Sequence, residues 1–280
     1  MRRAILILAA LGAVTACSHK PRVPVTLPTG QWVSLFNGRN LDGWTVKIAG
    51  QDLNDNYRNT FRVEDGILKV SYRDYDRFAD RFGSLYYNTA YSHYWLRVEY
   101  RFVGDLAPGA PGWAYRNSGI QLHGQAPASL RKEQQFPVSV EFDLVGGRLL
   151  GSHPTGDVCH YGTRVSISGV PVPELCSKVS DMTIRGDEWV TAAVEVDGDE
   201  RVRQIVNGSL VVEYTDLQLD DTNSDARRLL AAGAAKKLSS GSISLQSNGA
   251  PIEFRRIEIL PLQTAAATAP AAVEPVTEAR

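Results

Sequence analysis

Only three cysteines occur in this chain, and no apolar run is long enough to cross a bilayer. Charge of either sign is also missing as a bulk property. Thirty Lys and Arg face thirty-one Asp and Glu, for a formal net charge of −1. Without a basic patch or a long charge run, nucleic acid is excluded as the expected partner. No internal repeat is present, and convincing helical stretches are few. The longest apolar run is residues 4–14, broken only by Gly12, well short of the roughly 20 residues a permanent membrane helix needs.

That short run carries an address. A basic start at Met1-Arg2-Arg3, the apolar stretch and then small residues read as a secretory signal. Val14-Thr15-Ala16-Cys17 resembles a lipobox, the cleavage site before a lipid-modified cysteine; an ordinary signal peptide with an incidental cysteine is the rival. Ser18, rather than Asp, follows the cysteine, which favours an outer-membrane anchor over inner-membrane retention. The expected organisation is therefore a signal over 1–17, a proline-rich tether over 18–30, one domain over 31–262, and a disordered Ala/Pro/Thr/Glu tail over 263–280. The expected location is lipid-anchored, in the periplasm or at the outer membrane. In an oxidising compartment the remaining pair, Cys159 and Cys176, reads as a disulfide. The alternative is a metal site using Cys159, His160, Cys176 and His153, with a spacing that matches no standard zinc pattern.

Between the termini the sequence alternates. Leu96, Val98, Tyr100 and Phe102 interleave with Arg97, Glu99 and Arg101; Val138, Val140, Phe142 and Leu144 interleave with Ser139, Glu141 and Asp143. Residues 202–206 meet Asn207-Gly208, a strong hairpin signal, before 210–214 returns. Short strands separated by turns predict an all-β sandwich. One helix is expected over residues 224–237, acidic early and basic late.

Several stretches, taken in order, resemble a known family. They include residues 32–44 (WVSLFNGRNLDGW), 61–68 (FRVEDGIL), Asn117-Ser118-Gly119-Ile120, 186–190 (GDEWV), Ile205-Val206-Asn207-Gly208, and 241–247 (GSISLQS) closing on Glu253-Phe254-Arg255. Together they are similar to the 3-keto-disaccharide hydrolase domain family. The resemblance implies a concanavalin-like jelly-roll sandwich and action on glycosides already oxidised to a ketone at sugar carbon 3.

The residues suggest how. Alternation sends Glu141 and Asp143 to the face opposite Val140, Phe142 and Leu144, hence away from the core and into a concave groove. On the strand from Asn117 to His123, Asn117, Gly119, Gln121 and His123 share the face opposite Ile120 and Leu122. Gln246 is opposite Ile243 and Leu245 and joins the same groove. The catalytic candidates are Glu141 as general base, with Asp143 or His123 as acid or orienting partner. Asn117, Gln121, Gln246 and Arg116 are candidate donors to substrate, and Trp113 and Tyr115 candidate sugar platforms. A ketone at carbon 3 acidifies the proton on carbon 2. Removing that proton lets the group on carbon 1 leave, and water can add back for net hydrolysis. No cofactor is evident; a divalent metal could hold the enediolate, but no ligand spacing demands one. An ordinary glucanase needs a second glutamate on the strand of Glu141, where Val145 and Gly146 stand instead. A non-catalytic carbohydrate-binding lipoprotein remains the alternative. Lipid-precursor labelling of cells should mark the wild-type chain and not Cys17→Ala; equal labelling of both would rule out the anchor.

Overall fold

The computed structural model describes residues 22–148 and 150–262. In chain order the strands are β1 (Val23–Pro24), β2 (Val33–Ser34), β3 (Trp44–Ile48), β4 (Phe61–Glu64), β5 (Ile67–Val70), β6 (Gly83–Tyr87), β7 (His93–Phe102), β8 (Asn117–Gly124) and β9 (Ser139–Val145). They continue with β10 (Val158–Tyr161), β11 (Thr163–Ile167), β12 (Val170–Pro171), β13 (Val190–Asp197), β14 (Arg201–Val206), β15 (Ser209–Leu219), helix α1 (Ser224–Ala231), β16 (Ser242–Ser247) and β17 (Ile252–Pro261). The larger sheet runs β12-β11-β15-β14-β13-β7-β17-β5-β4, with β1 on β15 and β2 on β17; the smaller runs β10-β9-β8-β16-β6-β3. The result is an all-β jelly-roll sandwich with one short helix, as the alternation predicts.

Turn chemistry sets the register. Asn207 and Gly208 both take positive φ (47° and 74°), and the β14–β15 hairpin closes with Val206 opposite Ser209. Asp65 and Gly66 do the same between β4 and β5. Leu96, Val98, Tyr100, Val194 and Val196 from the larger sheet meet Leu85, Ile120, Leu122, Val140, Phe142, Ile243 and Leu245 from the smaller, all essentially buried. Each large aliphatic or aromatic side chain so buried contributes about 1.5–3 kcal/mol. This core consumes one face of β8, β9 and β16 and leaves the other free for polar groups.

Two expectations change. The helix ends at Ala231 rather than Lys237. Asn223 caps its start, accepting from the backbone N–H of Asp225 and Ala226, and Gly233 (φ 94°) follows its end. Lys236 and Lys237 lie beyond it and pair with Asp221 and Asp199 at 2.8 and 2.9 Å. Residues 22–30, read as part of a tether, instead pack on the protein. Val23 and Pro24 pair with Leu210 and Ser209, and Val25 and Leu27 join Trp32 over Trp95, Ala193 and Ile205 on the outer face of the larger sheet. Cys17, the signal and the tail over 263–280 lie outside the described residues.

Cys159 and Cys176 form a disulfide, with an S–S distance of 2.06 Å. The rival metal reading fails, because neither sulfur is available as a thiolate. The bridge ties the segment around Cys176 to β10, where His160 N–H donates to Leu175 O and Ser177 N–H donates to Val158 O. Intact-mass analysis after alkylation without reductant should find no modified thiol at either position. Replacing both by alanine should lower stability in denaturant titration by about 3 kcal/mol, as the closed loop's length requires. Two alkylated thiols in the native protein would overturn the pairing.

Candidate active site

The polar face of the smaller sheet is assembled by register. Gln121 lies opposite Glu141, Gly119 opposite Asp143, Ser244 opposite Gln121, and Ser84 opposite Gln246. Alternation alone would leave Glu141 beside Gln121. It leans instead across Gly119, where Gln246 Nε2 donates to Glu141 Oε2 at 2.9 Å. A Cβ on residue 119 would lie 2.5 Å from the Glu141 carboxyl carbon, so only glycine leaves this path open. Asn117 Nδ2 donates to Asp143 Oδ1 at 2.9 Å. Gln121 Oε1 accepts from the hydroxyls of Ser84 and Ser244, at 2.9 and 2.5 Å. Those two bonds turn its amide nitrogen toward the Glu141 carboxyl, where it is buried without a well-formed partner.

The face is not an open groove, and this corrects the sequence reading. Glu141 is 2% exposed and Asp143 half-buried. A row of aromatic rings reaches over the face. Phe136 stacks on Tyr161 of β10 with centroids 4.9 Å apart, and packs at 5.0 Å against Phe82, which just precedes β6. The strands β9, β8 and β16 lie between those two anchoring strands. Phe82 in turn stacks on Trp113 at 5.7 Å. Lys47, on the same face of β3, holds the covering segment down. Its buried ammonium donates to Ile48 O, Gln51 O and Lys132 O at 2.9, 3.1 and 2.8 Å. A cavity of about 330 Å³ opens beside Phe136 and Tyr161, lined also by Glu133 and Leu175.

Burial governs the charges. Desolvation first, and the neighbouring Asp143 second, push the Glu141 carboxyl well above the usual carboxylate range, against the donors Gln121 and Gln246. Desolvation and then Asp157 push Asp143 up to about 7, against Asn117. Carboxylate oxygens of the two acids lie within 4.8 Å of each other, so the pair holds a proton through neutral pH. Cys159 Sγ is inside the same radius, but its disulfide removes it as a ligand. Amide N–H groups face both carboxyls and favour their ionised forms, against the burial that favours the protonated ones.

The structure thus brings Glu141, Asp143, Asn117, Gln121 and Gln246 together. It does not bring His123. Ser242 pairs with Gly124 while Ser244 pairs with Gln121, so β8 carries an extra residue here, and His123 takes φ 47°. The bulge breaks the alternation. His123 Nε2 lies 2.9 Å from Gly198 O of the other sheet, its ring packs edge-on to Tyr94, and burial lowers its pKa to about 4. It is a neutral packing residue. Arg116 is committed elsewhere, donating to Gly186 O at 2.7 Å and to Asp187. Tyr115 is flanked by Arg116 and Arg148. Trp113 is 53% exposed at the end of the aromatic row, where a sugar ring can reach it. Sequence reasoning missed Phe82, Phe136, Tyr161, Lys47 and Asn248. Strand parity signalled Tyr161, which shares its face with Cys159 opposite Glu141, and Lys47, which alternates with Val46 and Ile48; the others carried no signal.

Comparisons place the site in context. No curated protein matches the chain. Among solved structures, a candidate glycosyl hydrolase of Parabacteroides distasonis shares 17% identity over 83% of this chain and 94% of its own, with a TM-score of 0.49. A second such protein of the same organism shares 19% over 83% and 100%, at 0.48. The Bacillus licheniformis β-glucanase shares 14% over 84% and 100%, at 0.45. The model of the 3-keto-alpha-glucoside-1,2-lyase-like domain matches residues 31–260, and this chain belongs to that family.

Proposed function

We propose that this protein cleaves glycosides carrying a ketone at carbon 3, by elimination across carbons 2 and 1. A carbohydrate ligand and a glycoside-acting role follow from the family; the keto specificity and the mechanism are our reading. The observation that carries it is the buried acid pair, with one member near neutral and the other well above. Such a pair supplies a base and an acid at the same pH. Asp143, rather than Glu141, is then the better base. It takes the proton from carbon 2, and the C–H electrons delocalise onto the carbon-3 oxygen as an enolate. The enolate collapses to a carbon 1–carbon 2 double bond as the bond from carbon 1 to the leaving oxygen breaks, and Glu141 protonates that oxygen. Water adding across the double bond gives net hydrolysis. The Gln121 amide is a ready donor for the enolate. Substrate reaches the pair when Phe136 swings away from Tyr161. Export through the N-terminal signal and attachment at Cys17 belong to the same proposal.

A retaining glucanase also uses two carboxyls about 5 Å apart, and on this kind of strand the partner of Glu141 is a second glutamate beyond Asp143. Val145 and Gly146 occupy the two positions where that glutamate would stand, and a Cβ on Gly146 would lie 2.9 Å from atoms of Arg116 and Phe102.

Exchange of the carbon-2 proton in heavy water reports base action without bond cleavage. A 3-keto-glycoside should exchange and be cleaved, and its unoxidised parent should do neither. Asp143→Asn should slow exchange by about 10²–10⁴-fold. Equal exchange in Asp143→Asn and wild type would move the role to Glu141, and no exchange in wild type would sink the elimination mechanism. Exchange and cleavage should both rise as pH passes through about 7, and cleavage alone should fall when Glu141 loses its proton at higher pH. Stability provides a separate check. With a raised folded-state pKa, the native state holds more protons than the unfolded chain above glutamate's ordinary value of 4.5. Stability is therefore full below that pH and is lost as pH rises toward the folded value. Glu141→Gln should be more stable than wild type in alkaline melts, with the gain vanishing near pH 4; a pH-independent difference would contradict the protonated Glu141.

A further inference from the structure

Asn248 touches neither carboxyl, yet it is hydrogen-bonded to a donor of each. It sits just past β16 and is 2% exposed. Its one amide nitrogen donates to Asn117 Oδ1 at 2.7 Å and also to Gln246 Oε1. Both of its N–H bonds are thereby used. Each accepting amide must then present its own nitrogen on its far side, and there Gln246 meets Glu141 and Asn117 meets Asp143, each at 2.9 Å. Turning the Asn248 amide over would set its oxygen against two carbonyl oxygens, which is repulsive. The backbone around it is clamped. Gly249 N–H donates to Tyr72 Oη at 2.8 Å, Ala107 N–H donates to Gly249 O at 2.8 Å, and a Cβ on Gly249 would lie 2.6 Å from Ala110 Cβ.

We propose that Asn248 is the positioning residue of the acid pair: its amide commits both flanking amides to donate, and so sets where the pair keeps its proton. This rests on the acid–base reading above. The other groups facing the pair are Gln121 from β8, Tyr161 from β10 and Asp157 just before β10. The disulfide beside Glu141 does not titrate. Of all these, Asn248 is joined by hydrogen bonds to the donors of both acids.

Asn248→Leu keeps the size and removes the donation without adding charge. Asn248→Asp turns the donor into an acceptor, so that Gln246 and Asn117 rotate and point carbonyl oxygens at the carboxyls. In both variants the acid limb of the carbon-2 exchange profile should move to higher pH, by about one unit or more for Asn248→Asp and less for Asn248→Leu, with KM for the keto-glycoside little changed. An infrared difference titration of the carboxyl band, without substrate, should show the same order. A rate lowered equally at every pH, with an unmoved midpoint in Asn248→Leu, would reduce Asn248 to a structural residue. If a variant does not fold, Asn248→Ser, which keeps one donor, carries the comparison and should shift the midpoint in the same direction. If wild type never exchanges the sugar proton, the proposed function fails, while the infrared titration still decides the positioning role.

Discussion

Two neighbouring carboxyl groups, one buried and one half-buried, resist being ionised together, and much of the polar face of the smaller sheet is arranged around that constraint. A charge moved out of water costs several kcal/mol unless donors replace the lost hydration. Gln246 and Asn117 each supply one donor, and the Gln121 amide faces Glu141. Shared protonation covers the remainder. The cost is met elsewhere in the fold by the inter-sheet core, whose side chains come from the opposite face of the same strands. Strand alternation thus separates the stabilising layer from the reactive one by a single peptide plane.

The covering layer depends on an interaction of another kind. Lys47 has no carboxylate partner at its ammonium and uses three backbone carbonyls instead. Carbonyl dipoles neutralise the cation only partly, and burial lowers its pKa accordingly. One of the three carbonyls belongs to Lys132, four residues before Phe136. The segment bearing the ring is tied at one end, while the ring itself is held by stacking alone. Stacked rings separate far more readily than a saturated buried ammonium leaves its acceptors, so any opening of the cover is concentrated at the Phe136–Tyr161 stack.

Much of this was legible in the sequence wherever period two held. Glu141, Asp143, Asn117, Gln121 and Gln246 all fall on the face that alternation assigns them. The same rule failed at His123, because an extra residue in β8 is invisible to a period count. It could not reach Asn248, which lies one residue past the end of its strand, nor Phe136, which comes from a loop and meets the face only through tertiary packing. Helix α1 reads too long because charge bias continues past Gly233, though the lysines there serve ion pairs with Asp221 and Asp199 instead. The ordering of the Glu141 and Asp143 carboxyls on which the proposed acid and base roles rest comes from burial and from Asp157, neither of which a strand pattern encodes.

The disulfide acts on the boundary of the sheet as well as on chain entropy. Strand β10 ends the smaller sheet, and its outward backbone groups would be free to pair with a strand of another molecule. The segment around Cys176 lies along that edge, taking the hydrogen bonds of His160 and Val158. The covalent link keeps this cover from peeling back. A reduced chain therefore carries an open template for intermolecular β-pairing next to its buried acid pair, and its first failure would be self-association rather than global unfolding.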